Sequence, residues 1–266
     1  MPFDFHEDRK RYFQIQTEVT EQYILPFIEE KRALPSTGQV LEIGCGEAGV
    51  LKAFTNRGWQ AVGVDLAEEK LELAGQLMAE ETKKGQLRLI NKNIYDEIFK
   101  QEFTRKFDLI ILKDVIEHIP QQQKLMNYLH TFLKPQGSIF FAFPPWFMPF
   151  GGHQQMCRSF LKKVPYFHLL PMPVYKLILK LAGETNSKIE ALAANKRTGI
   201  TIERFERILK QTGYRILNRR FYLFNPIYKY KFGLKPREQY RPIRALPYIR
   251  DFFTTGMYYL VEKKVI

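Results

Sequence analysis

Only two cysteines occur in 266 residues. Cys45 lies inside a glycine turn and Cys157 far from it, so they offer neither a disulfide framework nor the paired spacing of a metal site. Each reads as a small buried residue, and no metal is expected. Long apolar runs are missing too. The most apolar stretch, "IFFAFPPWFMPF", is interrupted by Pro144, Pro145 and Pro149, well short of the roughly 18 residues that a spanning helix requires. The start, "MPFDFHEDRKRYF", carries charges where a secretory signal is apolar. These absences predict a soluble cytoplasmic protein. Acidic residues are scarce in one half only. Residues 151–266 hold 23 Lys+Arg against 7 Asp+Glu, a net of +16, whereas residues 1–150 carry a net of −3. The basic surface is therefore expected from the C-terminal part alone.

What is present is enough for a packed core, since 45% of the residues are hydrophobic. From residue 40 the pattern alternates strand and helix. "VLEI" ends in glycines, "AGVLKAFTNRG" is helix-like, "AVGVD" is β-branched, and "EEKLELAGQLMAEETKK" has apolar residues at helical spacing. "LRLI" and "FDLIILKD" follow as strands, and a polar helix over about 120–133 leads to "SIFFAF". Five strands joined by crossovers predict an α/β, doubly wound, mostly parallel sheet. Thr201 is placed to cap a helix with Phe205, Ile208 and Leu209 on one face, and "RILNRRFYLF" and "MYYLVEKK" are late strand candidates. A helical cap is expected over residues 1–37 and the main domain over 38–266. Two Pro- and aromatic-rich insertions, about 144–200 and 226–256, would form a further cap.

The stretch "VLEIGCGEAG" fits G-x-G-x-x-G through Gly44, Gly46 and Gly49. Glycines there let the backbone approach a ligand, and Asp65, at the end of the second strand, suits ribose hydroxyls. Together they predict an adenosine-type ligand, with NAD and other adenosine cofactors both open at this point.

The surrounding motifs choose between them. Glu42-Ile43-Gly44-Cys45-Gly46, then "VGVDLAEEKLELA", "NKNIYD", "FDLIILKDVIEHI" and "LKPQGSIFFAFP" resemble, in order, the motifs of class I S-adenosylmethionine-dependent methyltransferases of the small-molecule type. The resemblance covers about residues 38–145. It implies a Rossmann-like fold and S-adenosylmethionine as cofactor. It would place Glu42, Gly44, Cys45 and Gly46 beside the methionine portion, Asp65 on the ribose, Leu66 against the adenine, Asn93 and Ile94 at the adenine amino group, and Lys113 and Asp114 at the methionine end. Asn93 departs from the family's usual Asp, and Ala48 from its usual Gly. An NAD-dependent oxidoreductase would explain the glycines but neither Glu42 nor "DVIEHI".

Methyl transfer from a sulfonium needs an aligned acceptor and, for a hydroxyl or acidic carbon, a base. Of His6, His118, His130, His153 and His168, two follow strand ends at the ligand edge: His118 in "DVIEHIP" and His153 directly after Gly151-Gly152, a pair expected to let its loop bend sharply as a hinge. Both are candidate catalytic residues, His153 as base or orienting group; a loop-ordering role is the rival for His118. "FPPW" is not an amino-methylation motif, because Phe143 can accept no hydrogen bond. In "PVYKLILKLAG", Val174, Leu177, Ile178 and Leu181 share a face that excludes Lys176 and Lys180. That face and the basic, aromatic 226–256 segment suit a small amphiphilic or anionic acceptor and peripheral contact with a membrane surface; RNA is the less favoured partner. Tyr12 and Phe13, in the N-terminal helix, are placed to close over the donor, with plain packing an equal rival. The expected activity is methyl transfer to a small acceptor at oxygen or carbon, against an RNA methyltransferase or a noncatalytic adenosine-ligand module.

Overall fold

The computed structural model describes residues 8–264. Its centre is an eight-stranded sheet in the order β3-β2-β1-β4-β5-β8-β6-β7. The strands are β1 (Gln39–Ile43), β2 (Gln60–Asp65), β3 (Leu87–Asn91), β4 (Phe107–Lys113), β5 (Leu133–Phe143), β6 (Tyr214–Phe224), β7 (Arg237–Glu238) and β8 (Gly256–Lys263). The first five are parallel, as expected from their crossovers, and β8 pairs antiparallel with both β5 and β6. The order reverses beside β1, so β1 and β4 diverge at the switch point where open sheets bind ligands.

Alternation along the strands builds a core on each face. Leu41, Ile43, Ile139, Phe141 and Phe143 enter one cluster, whereas Val40, Phe140 and Ala142 enter the other. The first face is covered by α6 (Glu97–Phe103), α7 (Gln122–Leu129) and α10 (Ile202–Gln211); the second carries α1 (Arg9–Val19), α2 (Leu25–Glu29), α3 (Gly49–Thr55) and α4 (Glu68–Leu77). Thr201 caps α10 as its sequence predicts, accepting from Arg204 N at 3.1 Å, and Phe205, Ile208 and Leu209 are buried.

Two helices depart from simple expectation. "EEKLELAGQLMAEETKK" breaks at Met78 into α4 and α5 (Ala79–Lys83), where the fully buried Met78 leaves helical geometry. The N-terminal helix loosens to a π-type turn over Thr20–Ile24, next to Pro26, which has no N–H to donate.

Residues 144–200 contain short 3₁₀ turns, then α8 (Met172–Leu181) and α9 (Asn186–Thr198). They enclose a separate small core of Cys157, Leu161, Phe167, Tyr175, Leu179, Ile189 and Leu192. Both cysteines are buried and unpaired. Gln122 ties this cap to the sheet, donating from Nε2 to Thr198 O at 2.6 Å and Ile116 O at 3.1 Å. From the second insertion Phe252 stacks flat on Phe147, with ring centroids 5.2 Å apart. Among the described residues no helix is long and apolar enough to cross a membrane.

Candidate active site

The glycine turn leaves β1 through Gly44 (φ +69°) and Gly46 (φ +52°). At Gly44 space is short as well, because a Cβ would stand 2.5 Å from Val115 Cγ2; at Gly46 there is room and only the backbone angle favours glycine. The N–H groups of Gly44 and Cys45 donate to Val64 O at 2.8 and 3.2 Å, which ties the turn to β2. Ala48, the departure from the family pattern, takes the left-handed conformation (φ +63°) itself, a strain of about 1 kcal/mol. Gly49 is needed for contact: a Cβ there would meet Phe13 O at 2.5 Å.

Asp65 both shapes this turn and faces its ligand side. Oδ2 accepts from Gly46 N at 2.8 Å and Oδ1 from Ala67 N at 2.9 Å. Each oxygen retains a further lone pair, the acceptor set that a vicinal diol needs. Leu66 beside it is 72% exposed, an uncovered apolar side chain next to a polar edge. Asn93 is exposed and accepts from Tyr95 N at 3.0 Å in a local turn, while Ile94 is buried. The turn explains why Asn serves there without using its second lone pair.

Mixed charge gathers at the ends of β1 and β4. Glu42 is buried with Oε2 unpartnered. Burial pushes its pKa well up; Lys113 opposes this, and Asp65, Asp114 and Glu47 add to it. Lys113 Nζ lies 2.6 Å from Asp114 Oδ2. Burial alone would lower the lysine, but Asp114, Tyr12 and Glu42 reverse the sign and keep the ammonium charged. Helix α1 overhangs this cluster. Tyr12 lies within electrostatic reach of Lys113, Asp114 and Glu47, and Arg9 stands 3.6 Å from Glu47. Phe13 instead packs into the core. An orphaned buried carboxylate oxygen beside a held ammonium fits a zwitterionic amino-acid group, and Asp65 fits a ribose. The residues present therefore fit S-adenosylmethionine.

His118 and His153 meet at the next strand ends. Their rings are 4.8 Å apart, His118 on the 3₁₀ turn Ile116–His118 after β4 and His153 in the loop after β5. His118 Nδ1 lies 3.1 Å from Asn195 Oδ1 of α9. His153 is half-buried, and its pKa is held down at about 4, first by burial and then by His118. The Gly151-Gly152 pair acts through space and not through a bend: a Cβ on Gly151 would lie 2.4 Å from Trp146 O, and one on Gly152 2.1 Å from His168 Cβ. His153 itself carries the positive φ of +57°. His168 is buried against Trp146, with Nε2 2.7 Å from its carbonyl, and is structural. His6 lies outside the described residues. Sequence reasoning missed Glu117 and Asn195 as neighbours of the histidines. Glu117 adjoins His118 in a quoted motif and was there to be found, whereas Asn195 stands 77 residues from His118 with no local signal.

A methyltransferase-domain family model matches residues 14–218, and the chain belongs to that family. Its fold is that of class I S-adenosylmethionine-dependent methyltransferases, which decides the glycine turn against the NAD reading. Ubiquinone biosynthesis O-methyltransferases of Leptothrix cholodnii and Stutzerimonas stutzeri are 33% and 29% identical over 104 residues, 39% of this chain and 43% of theirs. The chain thus aligns with less than half the length of these curated relatives. Among solved structures, an S-adenosylmethionine-dependent methyltransferase from Thermotoga maritima aligns over 98% of this chain and 97% of its own (TM-score 0.53, 14% identity). The plantazolicin methyltransferase BamL, solved with S-adenosylhomocysteine, aligns over 97% and 88% (TM-score 0.56, 14% identity).

Proposed function

We propose that this chain transfers the methyl group of S-adenosylmethionine to a hydroxyl oxygen of a small amphiphilic acceptor bound under the cap. The observation that carries this reading is the His118–His153 pair, set between the donor edge and the cap. The sulfonium methyl arrives already activated, so the protein's work is to align the acceptor and accept its proton. Held down at about 4, the His153 ring is neutral near pH 7 and presents a lone pair that orients the hydroxyl by accepting its hydrogen bond, as a weak base. Asn195 orients His118 beside it. Relatives named as O-methyltransferases support oxygen as the accepting atom.

The amphiphilic character of the acceptor rests on the cap. On α8, Tyr175 and Leu179 face inward, and three of the four residues predicted to share a face point out, with Val174 42%, Leu177 56% and Leu181 78% exposed, while the fourth, Ile178, packs against the cap core. An outward apolar stripe with Lys180 nearby suits peripheral contact with an anionic membrane, from which such an acceptor would be drawn.

Labelled S-adenosylmethionine and a panel of alkyl phenols and alkyl amines test the reading. We expect methyl ethers from the phenols, and loss of that product in His153→Ala with binding of S-adenosylhomocysteine retained. Transfer to the amines alone, or full activity in His153→Ala, would overturn it.

A further inference from the structure

Three side chains that donor binding does not use converge at the seam between sheet and cap. One ligand atom from each of Glu117, His118 and His153 lies within 4.8 Å of the other two, and no other such trio occurs among the described residues. We infer that they form a binding site for one divalent transition-metal ion of the zinc class.

One hydrogen bond sets the tautomer. Asn195 Oδ1 can only accept, so in the neutral ring of His118 the proton sits on Nδ1 and Nε2 carries the lone pair. That Nε2 lies 3.9 Å from Glu117 Oε1. Neither oxygen of Glu117, which is only 5% exposed, has a hydrogen-bond partner, and His153 Nδ1 is buried without one. Unpaired buried acceptors are costly, and a proton on Glu117 would serve only one of them. A cation serves the whole set.

Two imidazoles and one carboxylate supply three protein ligands and leave a fourth position open, a donor set that suits zinc. Bonds of about 2.1 Å place tetrahedral donor atoms about 3.4 Å apart, so side-chain ends that now lie within 4.8 Å need to close by up to about 1.4 Å. The contact from Asn195 to His118 is the outer hydrogen bond that fixes the tautomer of a ligating imidazole. Cysteine spacing, on which the expectation of no metal rested, is blind to a trio assembled from two loops. The ion's role rests on the proposed hydroxyl acceptor: with His153 engaged as a ligand, the ion's open position would hold that oxygen and lower its pKa, so that the proton leaves to solvent and the ion takes over the activating role assigned to the free imidazole.

The test reads binding without turnover, so it stands apart from the identity of the acceptor. Chelator-stripped protein is titrated with Zn²⁺ by calorimetry and with Co²⁺ by visible absorption. We expect one equivalent bound and a tetrahedral Co²⁺ spectrum, both lost in His153→Ala and Glu117→Gln. Asn195→Ala should weaken Zn²⁺ about 10- to 100-fold. Thermal melting checks the fold of each variant; should Glu117→Gln melt early, His118→Ala, at a more exposed position, replaces it. No bound metal in the wild type, or variants that bind Zn²⁺ as tightly as it does, would overturn the inference.

Discussion

Between β1 and α3 the chain builds its donor turn from six consecutive residues, Gly44 to Gly49, whereas the acceptor side joins His118 to His153 and to Asn195, 77 residues away. On the donor side the backbone does most of the shaping: two glycines at positive φ, amides held by Val64, and an aspartate two residues from the amide it caps. On the acceptor side the groups are side chains, set by how an irregular cap packs on the sheet. A backbone-built site is stiff and local. One assembled from side chains is open to change by loop replacement, which is how one fold serves many acceptors.

That contrast predicts separable effects. The largest expected is on turnover: His153→Ala should lower methyl transfer by about 10²- to 10⁴-fold in steady-state assays, with donor affinity unchanged. Next is Asp65→Ala, which removes the diol acceptors and the cap on Gly46 and should weaken S-adenosylhomocysteine about 100-fold by calorimetry. A donor loss in the first variant, or none in the second, would break the division.

Smaller effects concern the cap alone. His168, held down at about 4 chiefly by burial, binds a proton less readily in the fold than in the unfolded chain. The stability it contributes is present above about pH 6.5 and is lost as pH falls towards 4. The gap in stability between wild type and His168→Asn should therefore narrow over that window in urea titrations at stepped pH. Smallest is the outward stripe of α8. The pair Leu177→Ser and Leu181→Ser should reduce co-sedimentation with anionic vesicles about 10-fold and leave the melting temperature unchanged, because both side chains are exposed.

Legibility in the sequence follows the same division. The parallel sheet, the glycine turn, Asp65 and helix α10 were readable because their residues sit at fixed short spacings that local backbone geometry imposes. The helix break at Met78 was not, since a buried methionine within a helical pattern looks like any other core position. The cap gave up one face of α8, but periodicity cannot say which side of an apolar helix packs inward. Glu117 and Asn195 drew meaning only from tertiary neighbours. Gly151 and Gly152 looked like a hinge, yet they are glycine because Trp146 and His168 leave no room for a Cβ.

The most direct test of the account is a calorimetric titration of S-adenosylhomocysteine into wild type, Asp65→Ala and His153→Ala side by side. The account predicts one-to-one binding that falls about 100-fold in Asp65→Ala and is preserved in His153→Ala. Equal binding by wild type and Asp65→Ala, or its loss in His153→Ala, would contradict it.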